Sequence, residues 1–330
     1  MSKFKRKNKK QADAILSSDW HIRPDAPICR TDDFFSAQEK KIDFILDLSN
    51  KHNCPILVGG DFGNKSLNNG WPAWLQTWAI NKFKNNDILT IPGQHDLPNH
   101  RVELFNTSGL GVLNAAGAIK ILGVIANEHE ESLTGTHFCP KNVTDKYNFH
   151  ITPFPYGLKI NDIGWGSKYK KPDMPMIAIT HEMIIENKDL YPDQNAIKGH
   201  EILKKYPEYD LILSGDNHNP FVSEYKGRLL VNPGSIMRSA AAQENHKPRV
   251  YLWYAGTNEV ECVYLPITEG VISREHIKEV DDRADRYNSY IEKMKEEIEL
   301  DLSFEDNMEK YLKKFRTEKQ VKNKIWENIK

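Results

Sequence analysis

Five short apolar runs in this chain each stop at a cluster of acidic, imidazole or amide side chains. Ala14-Ile15-Leu16 leads to Asp19-Trp20-His21, and Pro55-Ile56-Leu57-Val58 leads to Gly59-Gly60-Asp61. Ile88–Ile91 leads to Pro92-Gly93-Gln94-His95-Asp96. Met176–Thr180 leads to His181-Glu182, and Leu211–Ser214 leads to Asp216-Asn217-His218. A continuous apolar run of this length reads as a strand buried on both faces. Between the runs, residues 36–52 carry Ile42, Ile45, Leu46 and Leu48 at helical spacing, and a second helix is expected near 72–84. Strands alternating with helices predict an α/β layered sheet, in which functional residues gather in loops at the carboxyl ends of strands.

The rest of the chain narrows the reading. A β-rich section is expected over 220–267, with strands at Phe221–Tyr225, Leu229–Asn232, Val250–Tyr254 and Val260–Pro266. Hydrophobic residues at 39% and charged residues at 28% describe a globular protein. A net charge of -1 excludes a wholesale basic coat for nucleic acid, so any such contact needs a local patch. No apolar run is long enough to span a membrane. Cys29, Cys54, Cys139 and Cys262 are far apart, which argues against a disulfide framework and for a reducing, cytoplasmic setting. Residues 1–12 form a basic tail, with six Lys/Arg in the first ten positions.

Residues 269–330 differ in kind and follow a core domain expected over 13–268. They contain no proline or cysteine, and their charge is split. Residues 271–309 hold 13 acidic and 6 basic side chains, whereas 310–330 hold 2 acidic and 8 basic. Tyr287, Ile291, Met294 and Ile298 share one helical face. A second apolar stripe runs through Met308, Leu312 and Phe315, then Val321, Ile325 and Ile329. Ser303–Asp306 and Thr317–Gln320 resemble capping boxes that open two helices.

Carboxylates, imidazoles and an amide make a mixed oxygen and nitrogen ligand set, suited to manganese, iron or magnesium and less selectively to zinc. Two such ions clamp the attacking and leaving oxygens of a phosphoryl centre, and Asp61 after its Gly-Gly turn is a natural bridge between them. The order Asp19-x-His21, Gly60-Asp61, Gly93-Gln94-His95-Asp96, His181 and Gly215-Asp216-Asn217-His218 resembles the signature of calcineurin-like metallophosphoesterases. The spacings fit as well: 42 residues from Asp19 to Asp61, 33 from Asp61 to Gln94, and 35 from His181 to Asp216. Within that superfamily, Asn232-Pro233-Gly234-Ser235-Ile236-Met237-Arg238 and Lys247-Pro248-Arg249 resemble SbcD-type double-strand-break repair nucleases and their phage relatives.

The resemblance implies a four-layer αββα sandwich with a C-terminal helical extension. It implies two divalent ions, manganese first, with magnesium, iron or zinc as the other candidates. The first would be held by Asp19, His21, Asp61 and His218, the second by Asp61, Gln94, His181 and Asp216. His95 would stabilise the transition-state oxygens or protonate the leaving alkoxide, with Asp96 fixing its ring. DNA as substrate, an SbcC-type ATPase docked on 269–330, and a homodimer belong to the same expectation. Three positions depart from the pattern: Gln94 stands for Asn, Asp216 for the first His of the last motif, and Asn64 for a His often found in the nuclease subgroup.

Two other readings stay open: a phosphodiesterase or phosphatase for a small nucleotide or phosphoprotein, and a non-catalytic scaffold with a degenerate second site. Trp71, Trp74 and Trp78 read as core or lid packing. Arg238 reads equally as a phosphate contact or a structural pairing.

Overall fold

The computed structural model describes residues 11–64, 71–123, 146–160, 173–186, 196–278 and 303–329, with a few positions between 283 and 291. Most of the basic tail, Cys139, Met294, Ile298 and the side chain of Ile329 lie outside the described residues. The chain divides into two compact units after Ser273.

The first unit begins with β1 (Ala14–Ser17), α1 (Phe34–His52), β2 (Ile56–Val58), α2 (Ala73–Phe83) and β3 (Ile88–Thr90). Then come α3 (Gly109–Ala115), β4 (Lys120–Ile121), β5 (His150–Phe154), β6 (Met176–Thr180), β7 (Ile184–Ile185), β8 (Ile197–Lys198) and α4 (Gly199–Lys205). It closes with β9 (Leu211–Ser214), β10 (Phe221–Tyr225), β11 (Arg228–Asn232), β12 (Arg249–Tyr254) and β13 (Glu259–Tyr264). In the second unit, α5 (Phe304–Lys314) and α6 (Lys319–Ile329) are described.

Two mixed sheets stack face to face. The first has the order β13-β12-β1-β2-β3-β4 and the second β10-β11-β9-β6-β5, with β7 and β8 forming a small parallel pair. Side chains alternate across each strand, and that alternation builds the layers. Leu16, Leu57 and Leu89 point between the sheets, against Ile177, Ile179, Leu211 and Leu213. Their neighbours Ile15, Ile56 and Ile88 point outward, onto Ile42 and Ile45 of α1 and Leu75, Ala79 and Phe83 of α2. On the far side, Ala178, Ile212 and Leu230 meet Ile202 and Leu203 of α4. Each strand is thus apolar at successive positions because both of its faces are covered. Every fully buried Leu or Ile in these layers contributes ~1.5–3 kcal/mol. The result is the αββα sandwich.

Helix α1 is stopped at both ends by its own sequence. The Asp33 carboxylate accepts from Ser36 N at the start, and Asn53 turns left-handed at the end. In the second unit, the Ser303 hydroxyl accepts from Asp306 N to open α5.

The parallel strands fix the site. Ser17, Val58 and Thr90 lie in register at the carboxyl ends of β1, β2 and β3. Thr180 and Ser214 do the same for β6 and β9. All five polar clusters therefore leave their sheets at one end.

Candidate metal centre

The five loops are tied together by backbone. Asp19 N donates to Gly60 O at 3.1 Å and His21 N to Asp61 O at 2.9 Å. Gly93 lies so close to the next loop that a Cβ there would overlap the Asp61 carboxylate and amide. A Cβ on Gly215 would overlap Gly59 O. Glycine is what lets these loops approach. Asp19, His21, Asp61 and Asp216 all take positive φ, at 50°, 46°, 50° and 73°, a region L-residues other than Asn, Asp and His seldom enter.

Side chains converge where the loops meet. His21 Nε2 faces His218 Nε2 at 2.9 Å, and His218 Nε2 lies 3.8 Å from Asp19 Oδ1. Asp61 Oδ2 lies 3.3 Å from His181 Nε2 and 3.9 Å from His21 Nε2. Donor atoms fall into three sets within 4.8 Å: Asp19-His21-His218, His21-Asp61-His95 and Asp19-Asp61-His181. Gln94 joins through its amide, with Nε2 donating to Asp216 Oδ1 at 2.6 Å.

The polar bookkeeping of these buried groups is incomplete in one telling way. Asp19 Oδ2 and Gln94 Oε1 are buried without a hydrogen-bond partner, and Asp61 Oδ2 and His181 Nε2 are buried with only their mutual 3.3 Å ionic contact and no well-formed hydrogen bond. Buried polar atoms are almost always satisfied, and these four converge from four loops on one place, as metal ligands would. The other atom of each group is held: Asp61 Oδ1 accepts from His95 N at 2.8 Å, Asp19 Oδ1 accepts from Asp216 N at 3.1 Å, and His181 Nδ1 donates to Gly59 O at 2.7 Å. Locking one ring nitrogen on a carbonyl frees the other for an ion. The residues fit two divalent cations.

Ionisation follows from burial and from these neighbours. Burial pushes the Asp19 carboxyl up, opposed by His218 and His181. Burial acts the same way on Asp61, but His181, His21 and His95 outweigh it and hold that carboxyl below the usual carboxylate range. His21 is pushed down to about 3 by burial. His181 is lifted to about 10, because Asp61 overcomes the burial that opposes it.

Asp96 departs from its expected role. Its carboxylate accepts from Phe62 N at 3.1 Å, Gly63 N at 2.6 Å and Gly93 N at 2.9 Å, so it clamps two loops together instead of orienting the His95 ring. The His95 ring stands 5.1 Å from the His21 ring, centroid to centroid.

Arg238 resolves to structural pairing. It is buried and donates to the carbonyls of Glu244 and Thr268. The segment it ends leans on two of the candidate ligands: Ser235 N donates to His218 O and Ile236 N to Asp19 O. From the other side, buried Lys41 donates to Ile236 O at 2.9 Å. Trp71 is buried against Gly63 and Gly109, Trp78 packs on Phe35, and Trp74 stays half exposed. Sequence reasoning missed Lys41 and the His95 amide; Lys41 directly follows Lys40 in α1, and nothing in the spacing set it apart as buried.

The family model for calcineurin-like phosphoesterases matches residues 14–220. The chain belongs to that family. Among solved structures, this phosphoesterase is similar to an archaeal phosphodiesterase, at 14% identity over 76% of this chain and 99% of the other, with a TM-score of 0.38. Protein TT1561 of Thermus thermophilus is 12% identical over 77% and 98%, with a TM-score of 0.41. Protein PH1004 from Pyrococcus horikoshii is 14% identical over 82% and 94%, with a TM-score of 0.34. No curated protein matches the phosphoesterase. No helix among its described residues is long and apolar enough to cross a membrane.

Proposed function

We propose that this phosphoesterase is a two-metal phosphodiester hydrolase that cuts DNA, an exo/endonuclease of the SbcD type working in repair, recombination or phage DNA processing. The observation that carries the hydrolase reading is the set of converging buried atoms on Asp19, Asp61, Gln94 and His181. Asp19, His21, Asp61 and His218 would hold one ion; Asp61, Gln94 and His181, with Asp216 beside them, the other. Manganese is the first choice, given a mixed oxygen and nitrogen ligand set. Such ions supply a nucleophile from water at neutral pH and neutralise phosphoryl oxygens.

The chain's own residues do the rest. The His95 amide aims Asp61 by holding its Oδ1. The His95 ring, beside His21, carries a proton for the leaving oxygen. Asp96 keeps the Asp61 and Gly93 loops in contact.

The DNA assignment is supported by the Asn232–Arg238 segment, which resembles that of the SbcD group and leans directly on His218 and Asp19. An SbcC-type ATPase is the proposed partner of the second unit. There Tyr287, Phe304, Tyr311, Phe315 and Val321 are exposed apolar side chains. Buried Cys29 and Cys54 are free thiols, in keeping with the cytoplasm.

The test is incubation with single- and double-stranded DNA and with a nitrophenyl phosphodiester, in manganese and in chelator. Manganese-dependent DNA cleavage is expected. Diester hydrolysis with intact DNA would replace the nuclease by a small-substrate phosphodiesterase, and no hydrolysis at all would leave a scaffold.

A further inference from the structure

Gln94 and Asp216 belong to different sheets and meet side chain to side chain. A carboxylate only accepts hydrogen bonds, whereas an amide has one donating and one accepting end. With Nε2 committed to Asp216 Oδ1 at 2.6 Å, the Gln94 oxygen must face the other way, and that oxygen is a buried orphan. If the amide turned over, two oxygens would face each other at hydrogen-bond distance. Asp216 thus permits one orientation of Gln94.

We propose that Asp216 is a positioning residue, which sets the Gln94 amide so that Oε1 and not Nε2 is offered to the second ion. Three observations favour this over direct ligation by Asp216. Asp216 is in none of the three close-lying donor sets among the described residues, although Asp19, Asp61 and His181 share one. One of its oxygens is occupied by Gln94. Its main chain serves the first ion's side, since Asp216 N donates to Asp19 Oδ1. The two departures at 94 and 216 are then one device: a longer amide reaches the ion, and a shorter acidic side chain aims it. The second ion's protein ligands reduce to Asp61, Gln94 and His181, with a single carboxylate shared between both ions.

The inference rests on the two-ion reading, and the experiment separates the two. Full-length protein is titrated with Mn2+ by calorimetry, and the Mn2+ spectrum is recorded by electron paramagnetic resonance. Asp216→Asn keeps an acceptor for Gln94 Nε2 without the charge; the two amides can also turn over as a pair, which halves the aimed population and costs the ion only about two-fold. Asp216→Gly removes the acceptor, and both variants tolerate the positive φ. Expected are two ions and an exchange-coupled spectrum in the native protein. Asp216→Asn should retain both, with the weaker site changed no more than a few-fold. Asp216→Gly should weaken the second ion by ~10–100-fold, the usual cost of losing a partner that orients a ligand, and leave an isolated Mn2+ signal. Thermal melting of the metal-free variants checks that each is folded; should the Gly variant not fold, Asp216→Ala, which also lacks the acceptor, takes its place. If Asp216→Asn loses the second ion as fully as Asp216→Gly, the carboxylate is itself a ligand and the inference fails. If Asp216→Gly keeps both ions, Asp216 positions nothing. A native protein that binds fewer than two ions would overturn the two-ion reading and this one with it.

Discussion

Lys41 gives a quantitative handle on the fold around the centre. Its ammonium group is buried, with one hydrogen bond, to Ile236 O, and with Arg30 and Arg238 as cationic neighbours against Asp32. Burial first, then Arg30 and Arg238, push it from 10.5 down to about 7. In the unfolded chain the group keeps its ordinary value. Between pH 7 and 10.5 the unfolded state therefore binds more protons, and stability rises with pH across that window. Below pH 7 the folded state carries the full cost of a buried charge, at most about 5 kcal/mol at ~1.4 kcal/mol per unit.

Lys41→Met keeps the bulk of the stem and removes the charge, but leaves the Ile236 carbonyl unsatisfied at a cost of ~1–3 kcal/mol. At about pH 6 the variant is expected to be more stable than the native chain by roughly 2–4 kcal/mol. At about pH 10 the unfolded lysine is still mostly protonated and roughly 0.8 kcal/mol of the native penalty remains, so the variant is expected to be less stable by only ~0–2 kcal/mol. Urea unfolding in chelator at about pH 6, 8 and 10 measures the difference directly. An identical difference at all three pH values would refute the reasoning.

Asp61→Ala should abolish turnover and weaken both ions, seen as loss of Mn2+ stoichiometry in calorimetry. His95→Ala should bind metal almost normally, because its amide still holds Asp61. Its single-turnover rate should fall by ~10²–10⁴, and an unchanged rate removes it from the mechanism. Gly93→Ala should displace the Asp61 loop through its Cβ, cutting Mn2+ affinity while far-UV circular dichroism stays native.

The parts of the fold that could be read from sequence are those in which one strand is covered on both sides. β1, β2, β3, β6 and β9 are apolar at consecutive positions, and each stops at a polar cluster. β5 escaped because Pro153 interrupts it; the proline is tolerated where, among the described residues, β5 lies at a sheet edge and pairs only with β6. α3 escaped because Gly109 and Gly111 lower its helical signal. At the site, residue types and spacing pointed to the side chains that converge there, since side-chain chemistry is written in the sequence. The amide of His95 holding Asp61, and the three amides held by Asp96, carry no such signature, because every residue but proline has that donor. The contact of Gln94 with Asp216 spans 122 positions and depends on two sheets being stacked.

The left-handed backbone at Asp19, His21, Asp61 and Asp216 sets fitness for function against fitness for folding. Each such residue costs roughly 1 kcal/mol that glycine would not. A laboratory population of this gene, selected for heat resistance alone in the absence of metal, would gain by drifting to glycine at these four codons. Heat-tolerant survivors would have discarded their ligands first, so a stabilised version of this protein has to be bred with the cation in the medium and hydrolysis in the screen.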